Sequence, residues 1–170
     1  MGHIISAEGI APDPDNVAAI VQFPTPKNVK ELRRFLGMAS FYRKFVEGFA
    51  RVAGPLTRLL KKDILWVWQE KEEESFRALL SRLSESPVLA HLDESADLVL
   101  RTDASVAGLG AVLSQGSGRD ERVVAYLSKT LSEAEARWVT NDLECYAIVW
   151  AVDKWRSYLY GKKVTVRTDN

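Results

Sequence analysis

At 170 residues, with 46% hydrophobic and 27% charged side chains, the chain has the composition of an ordinary globular protein, with room for one medium domain or two small ones. No apolar run reaches the roughly 18 residues of a membrane span, and Met1-Gly2-His3-Ile4-Ile5-Ser6 lacks the basic and long apolar segments of a signal peptide. A single cysteine, Cys145, excludes an internal disulfide and fits a reducing compartment. With only His3 and His91 beside it there is no His/Cys metal cluster, so a metal would need carboxylates, which favour Mg²⁺ or Mn²⁺ over Zn²⁺.

Gly2 to Ser6 reads as a strand ending at a Glu8-Gly9 turn signal. Such a strand needs a partner, and the chain is expected to begin mid-structure. Asp13 caps a helix with Pro14 at its first position and Val17, Ile20 and Val21 as its apolar stripe; Phe23-Pro24-Thr25-Pro26 ends it. Asn28, with Glu31 closing a capping box, opens a second helix, in which Leu32, Phe35, Leu36, Ala39, Tyr42 and Phe45 recur at helical spacing up to Gly48. A short third helix around Pro55-Leu56-Leu59-Leu60 completes a small bundle. Trp66 and Trp68, at strand spacing, lie in a connector. A further helix turns Phe76, Leu79, Leu80 and Leu83 inward, with Glu70, Glu72, Glu73 and Glu74 in a solvated first turn, and Pro87 ends it near a domain boundary.

Beyond Pro87 the period changes. Strands are predicted over 98–103, 108–115 and 122–127, with Gly116-Ser117-Gly118 as a turn. A helix runs from Thr140 or Asn141 to about Tyr158, burying Leu143, Tyr146, Ala147, Trp150 and Ala151. After Gly161 a fourth strand covers 164–169, for an order β-β-β-α-β. Trp138, Trp150, Trp155, Phe35 and Tyr42 are read as core rather than as base-stacking platforms. Cys145 is read as a helix-packing residue, since no histidine stands near it to activate a nucleophile.

The net charge of zero hides a split. Residues 1–62 carry ten Lys/Arg against five acids, a net +5, and the remainder carries thirteen against eighteen, a net −5. Two solvated faces would account for this, and so would a phosphate-binding lobe beside a carboxylate metal site. Three acids sit at element ends: Asp103 on the first strand of the sheet, Glu144 in the first turn of the long helix, Asp169 on the fourth strand. Acids there are ordinarily solvated or favoured by the helix dipole. If the first and fourth strands are parallel neighbours joined by the helix, however, all three can converge, and converging carboxylates call for a divalent cation.

Several motifs carry a resemblance. Gly2-His3-Ile4-Ile5-Ser6, Phe35-Leu36-Gly37-Met38 with Phe41-Tyr42-Arg43-Lys44-Phe45, Thr102-Asp103-Ala104-Ser105 followed by Gly108-Leu109-Gly110-Ala111-Val112-Leu113, Ala147-Ile148-Val149-Trp150, Tyr158-Leu159-Tyr160-Gly161 and Thr168-Asp169 are similar, in order and spacing, to the pol polyprotein of gypsy-type long-terminal-repeat retrotransposons. The resemblance implies an α+β or α/β chain: the end of a primer-grip-like hairpin (1–10), a reverse transcriptase thumb bundle (11–62), a connector and helix (63–87), and a C-terminally truncated RNase H-like mixed sheet (88–170). It implies that Asp103, Glu144 and Asp169 are catalytic metal ligands, binding Mg²⁺ or Mn²⁺ for hydrolysis of the RNA strand of RNA–DNA hybrids. Lys27, Lys30, Arg33, Arg34, Arg43 and Lys44 are candidates for phosphate contact with the hybrid or template-primer duplex. The remaining partner is the rest of the pol polyprotein, with no membrane, and the implied setting is intracellular, in cytoplasmic virus-like particles or the nucleus.

The sequence departs from the family pattern in places. Asp142 and Cys145 flank Glu144 where Glu and Ala are usual, and Asn170 stands where His is usual. The family's fourth acid and later histidine are absent from the 170 residues, and so is the Tyr-x-Asp-Asp polymerase motif, which would precede Met1, so the isolated segment is expected to be inactive. The alternative is a catalytically inactive, retrotransposon-derived remnant that binds nucleic acid or acts as a scaffold. Sugar kinases and actin-like ATPases share the strand order, but Gly108-x-Gly110 lies inside a strand pattern rather than in a phosphate-cradling loop.

Overall fold

The computed structural model describes residues 2–168. Its first strand, β1 (His3–Ser6), finds its partner within the chain. The partner is β2 (Gly9–Pro12), antiparallel, with His3 opposite Pro12 and Ser6 opposite Gly9. Four residues ending in proline offer no alternation to count, which is why β2 is not predicted from sequence. Helix α1 (Pro14–Val21) follows its Asp13 cap, and α2 (Val29–Phe41) its Asn28 cap, whose side chain accepts from the Glu31 amide at 2.9 Å.

The apolar spacing predicted that α2 would continue to Gly48. It ends at Phe41 instead: the Tyr42 amide donates to Ala39 O, and Arg43–Phe45 wind into a 3₁₀ turn. The tighter winding keeps both Tyr42 and Phe45 in the core. The Tyr42 hydroxyl donates to Gly2 O at 3.0 Å, and the His3 ring lies 5.1, 5.8 and 5.5 Å from the rings of Phe41, Tyr42 and Phe45. The single third helix expected is two, α3 (Phe49–Val52) and α4 (Gly54–Arg58). Trp66 and Trp68 form no strand; their rings stack 5.7 Å apart against the helical core, and Trp68 Nε1 donates to Glu73. Helix α5 (Glu70–Ser84), opened by a Gln69–Glu72 capping box, buries Phe76, Leu79 and Leu83, while Leu80 stays half-buried. One apolar core, from Ile20 to Leu89, joins these helices.

His3 makes this lobe sensitive to acid. Its Nε2 is buried without a hydrogen bond among the described residues, and burial, then the Lys44 charge, hold its pKa below the ordinary 6.5. The folded state therefore favours neutral imidazole. The unfolded chain gains its proton first as pH falls below 6.5, and the stability present above that value is lost. Between about pH 7.5 and 5.5 the wild type should lose more thermal stability than His3→Phe. Equal losses would refute the assignment.

The second layer is a four-stranded sheet in the order β5-β4-β3-β6, formed by β3 (Leu98–Ser105), β4 (Gly108–Gln115), β5 (Arg122–Lys129) and β6 (Val164–Arg167). β6 runs parallel to β3, with Leu98 opposite Val164 and Arg101 opposite Arg167, as expected of strands joined by a crossover helix. The other pairs are antiparallel. Helix α6 (Thr140–Lys154) is that crossover. It packs Leu143, Ala147, Trp150 and Ala151 onto Leu98, Leu100, Ala111 and Leu113 in a second core. It stops at Trp155, short of the predicted Tyr158, and a separate turn, α7 (Arg156–Leu159), follows. Two expectations on this helix fail: Cys145 is exposed rather than packed, and Trp138, ahead of it, is 44% exposed, resting on the half-buried Tyr146.

The helical lobe covers the opposite face of the sheet. Val123 and Tyr126 of β5 pack against its core, Arg43 donates to Ser128 O at 2.7 Å, and the Ala50 amide donates to Ser128 Oγ at 3.1 Å. Near the hairpin, Ile10 and Leu89 exchange backbone hydrogen bonds of 2.8 Å, and Ala90 donates to Val123 O. No helix among the described residues is long and apolar enough to cross a membrane.

Candidate metal and nucleic-acid site

Strand alternation decides where Asp103 points. Leu98, Leu100, Thr102 and Ala104 are buried on the α6 side, so Arg101 and Asp103 face the helical lobe. There Asp103 Oδ2 lies 3.0 Å from Arg51 Nη1 of α3, with both side chains about half exposed, at 53% and 52%. Opposite Asp103 on β4 is Gly110.

Glu144 comes from α6 and is buried. Its Oε1 accepts from the Ala104 amide at 3.2 Å. Two residues, Val106 and Ala107, separate β3 from β4, and Ser105 and Gly108 close the ladder. Ser105 directs its peptide groups toward β4, so those of Ala104 point the other way, past the last β3–β6 pair at Arg101 and Arg167, where Glu144 meets them. Asp103 and Glu144 thus reach β3 at consecutive residues. Both carry carboxylate oxygens, donors of the kind that suit Mg²⁺ or Mn²⁺. Asp169 lies outside the described residues, and among those described no three His, Cys, Asp or Glu residues are grouped to hold a metal.

A cleft of about 340 Å³ opens between lobe and sheet, lined by Glu47, Arg51, Arg101, Asp103, Gly110 and Arg167 among others. Arg101 pairs with Glu121; that hydrogen bond first, then the Ser114 hydroxyl, holds the Glu121 carboxyl below its usual range. Ahead of α6, Lys129 and the Ser132 amide donate to the Glu135 carboxylate, pulling it down to about 2, while the Glu135 amide donates back to the Ser132 hydroxyl, and Lys129 also reaches the Tyr146 hydroxyl. This contact ties the entry of α6 to the end of β5, two residues from Glu144 along the chain.

The basic candidates separate. Lys27, Lys30, Arg33 and Arg34 are exposed at the start of α2, with the Arg34 guanidinium 6.0 Å from the centre of the Phe23 ring. Lys44 lies over Phe45. Arg43 is engaged with Ser128 and the Phe49 ring, and burial lowers its pKa. Arg51 was not singled out from sequence: nothing local distinguishes it from its basic neighbours, and its partner is 52 residues away.

Residues 68–166 match the family described as the RNase H-like domain found in reverse transcriptase. Over its whole length the chain is 40% identical to the retrovirus-related Pol polyprotein from transposon opus of Drosophila melanogaster and 38% identical to that from transposon gypsy, spanning 18% and 17% of those proteins. Across 94% of its length it is 38% identical to the transposon Tf2-3 polyprotein of Schizosaccharomyces pombe, of which it spans 12%. The fold is shared with a foamy viral protease-reverse transcriptase solved in complex with RNA/DNA hybrid, at a TM-score of 0.80 and 20% identity, covering all of this chain and 23% of that one. The likeness to gypsy-type polyproteins that the motifs carry holds along the full sequence. The chain belongs to the RNase H-like domain family of reverse transcriptases.

Proposed function

We propose that this chain is the junction of a reverse transcriptase thumb with an RNase H domain, and that within the whole polyprotein it takes part in hydrolysing the RNA strand of RNA–DNA hybrids. The observation that carries the reading is Glu144 reaching, from the crossover helix, the amide next to Asp103. The proposed ligand set is Asp103, Glu144 and, carried over from the family resemblance, Asp169, which lies outside the described residues. A divalent ion held there would activate a water and stabilise the leaving 3′ oxygen. The chain's own residues do the positioning. The Ala104 amide and the packing of Leu143 and Ala147 fix Glu144. Lys27, Lys30, Arg33 and Arg34 are assigned to phosphates of the duplex, an attraction that weakens with salt.

The test uses the complete polyprotein and a labelled hybrid. Asp103→Asn should lower cleavage by at least about a hundredfold, because even the outer partners of metal ligands cost 10- to 100-fold. Undiminished cleavage would end the assignment. The Arg51–Asp103 ion pair favours a second reading, a non-catalytic nucleic-acid-binding module. Salt-sensitive hybrid binding by the complete protein, with no cleavage in Mg²⁺ or Mn²⁺, would support that instead.

A further inference from the structure

We propose that Arg51 is a built-in competitor for the metal, so that a divalent ion binding at Asp103 must displace the helical lobe's arginine. The inference rests on Asp103 being a metal ligand, as proposed above. The guanidinium lies 3.0 Å from Asp103 Oδ2, so a divalent ion held by that carboxylate would meet the arginine's charge at close range and be repelled by it. Arg51 is aimed by its surroundings. The turn at Gly48, in the left-handed region at φ 62, starts α3, and the guanidinium folds back over it: a Cβ at Gly48 would sit 3.6 Å from Arg51 Nη2. Glu47 is held from behind, its carbonyl accepting from Arg82 at 2.6 Å.

The pair is also half exposed, and pairs of that kind are weak enough to exchange. Metal binding and this contact between lobe and sheet are then coupled with opposite sign, and the coupling is reciprocal: whatever factor the ion costs the ion pair, the ion pair costs the ion. When the ion binds, Arg51 swings free into a cleft already lined by Arg101 and Arg167.

Manganese(II) chloride titrated calorimetrically into the 170-residue chain at low salt tests this. Four proteins are compared: the wild type, Arg51→Ala, Asp103→Asn and Arg119→Ala. The last makes the same charge change in the turn beyond the far end of β4. Arg51→Ala should bind about two- to fivefold more tightly than the wild type, the range an exposed ion pair sustains. Arg119→Ala should match the wild type, and Asp103→Asn should lose the site. In the wild type, the Arg51 Nε–H resonance should shift as the diamagnetic ion Mg²⁺ is added. If Arg51→Ala binds no better than Arg119→Ala while Asp103→Asn still abolishes binding, the competition is wrong and the metal assignment stands. If Asp103→Asn binds as the wild type does, or no protein binds, both fall.

Discussion

Phe35→Ala is expected to cost about 3–5 kcal/mol, a large share of the roughly 5–15 kcal/mol that holds a domain together. Phe35 is 0% exposed, and its ring lies 4.7 Å from Phe76 of α5 and 5.7 Å from Phe23, so it joins α2 to the segment leading into it and to α5. The cavity left by truncation cannot close readily. Its walls are rings held by other contacts: Trp68 braces Phe76, and Asn28 fixes the start of α2. Urea denaturation should show the loss as a lower midpoint at unchanged slope. Phe35→Leu should recover more than half of it. A cost below about 1 kcal/mol would mean that the helical lobe does not pack around this side chain.

Gly9→Ala is expected to be the most damaging single-methyl change, at about 2–4 kcal/mol. Gly9 has φ 147, and an added Cβ would stand 2.0 Å from the Leu89 carbonyl oxygen and 2.8 Å from its carbon. Both are backbone atoms, so no rotamer change relieves the overlap. The hairpin must move away from residue 89, breaking the reciprocal Ile10–Leu89 hydrogen bonds and straining the His91–Ser6 contact of 2.7 Å. Hydrogen exchange reads the event directly, because the Ile10 and Leu89 amides should lose protection while those of α6 keep theirs. Gly37→Ala, on the exposed side of α2 where a Cβ meets nothing within 4 Å, is the control and should not destabilise. Full protection at Ile10 in Gly9→Ala would show that the close approach is not what holds the hairpin.

Periodicity made the sheet and its crossover legible before any coordinates. Alternation in 98–103, 108–115 and 122–127 and the helical spacing of Leu143, Ala147, Trp150 and Ala151 give the β-β-β-α-β order, and the caps at Asp13 and Asn28 are chemical signals read locally. Asp103 and Glu144 were found on the elements expected for the same reason. What sequence did not yield depends on which surfaces dock. The α2 break at Tyr42 answers to the core and to Gly2, some 40 residues away. The use of Arg43 on Ser128 crosses 85 positions. Trp138 and Cys145 have the spacing of core residues but lie where neither core reaches: Trp138 precedes α6, and only one stripe of that helix, without Cys145, meets the sheet. Arg51 belongs to this class too.

The short turn at Val106-Ala107 sets a parity for everything before it on β3. Adding one residue between Asp103 and Ala104 would turn every residue upstream of it on β3 to the opposite face of the sheet. The carboxylate of residue 103 would swing beneath α6, away from Arg51, while Ala104, next to the turn, would keep its amide toward Glu144. The spacing from Asp103 to Gly108 is therefore a length that the candidate chemistry does not tolerate changing by one residue.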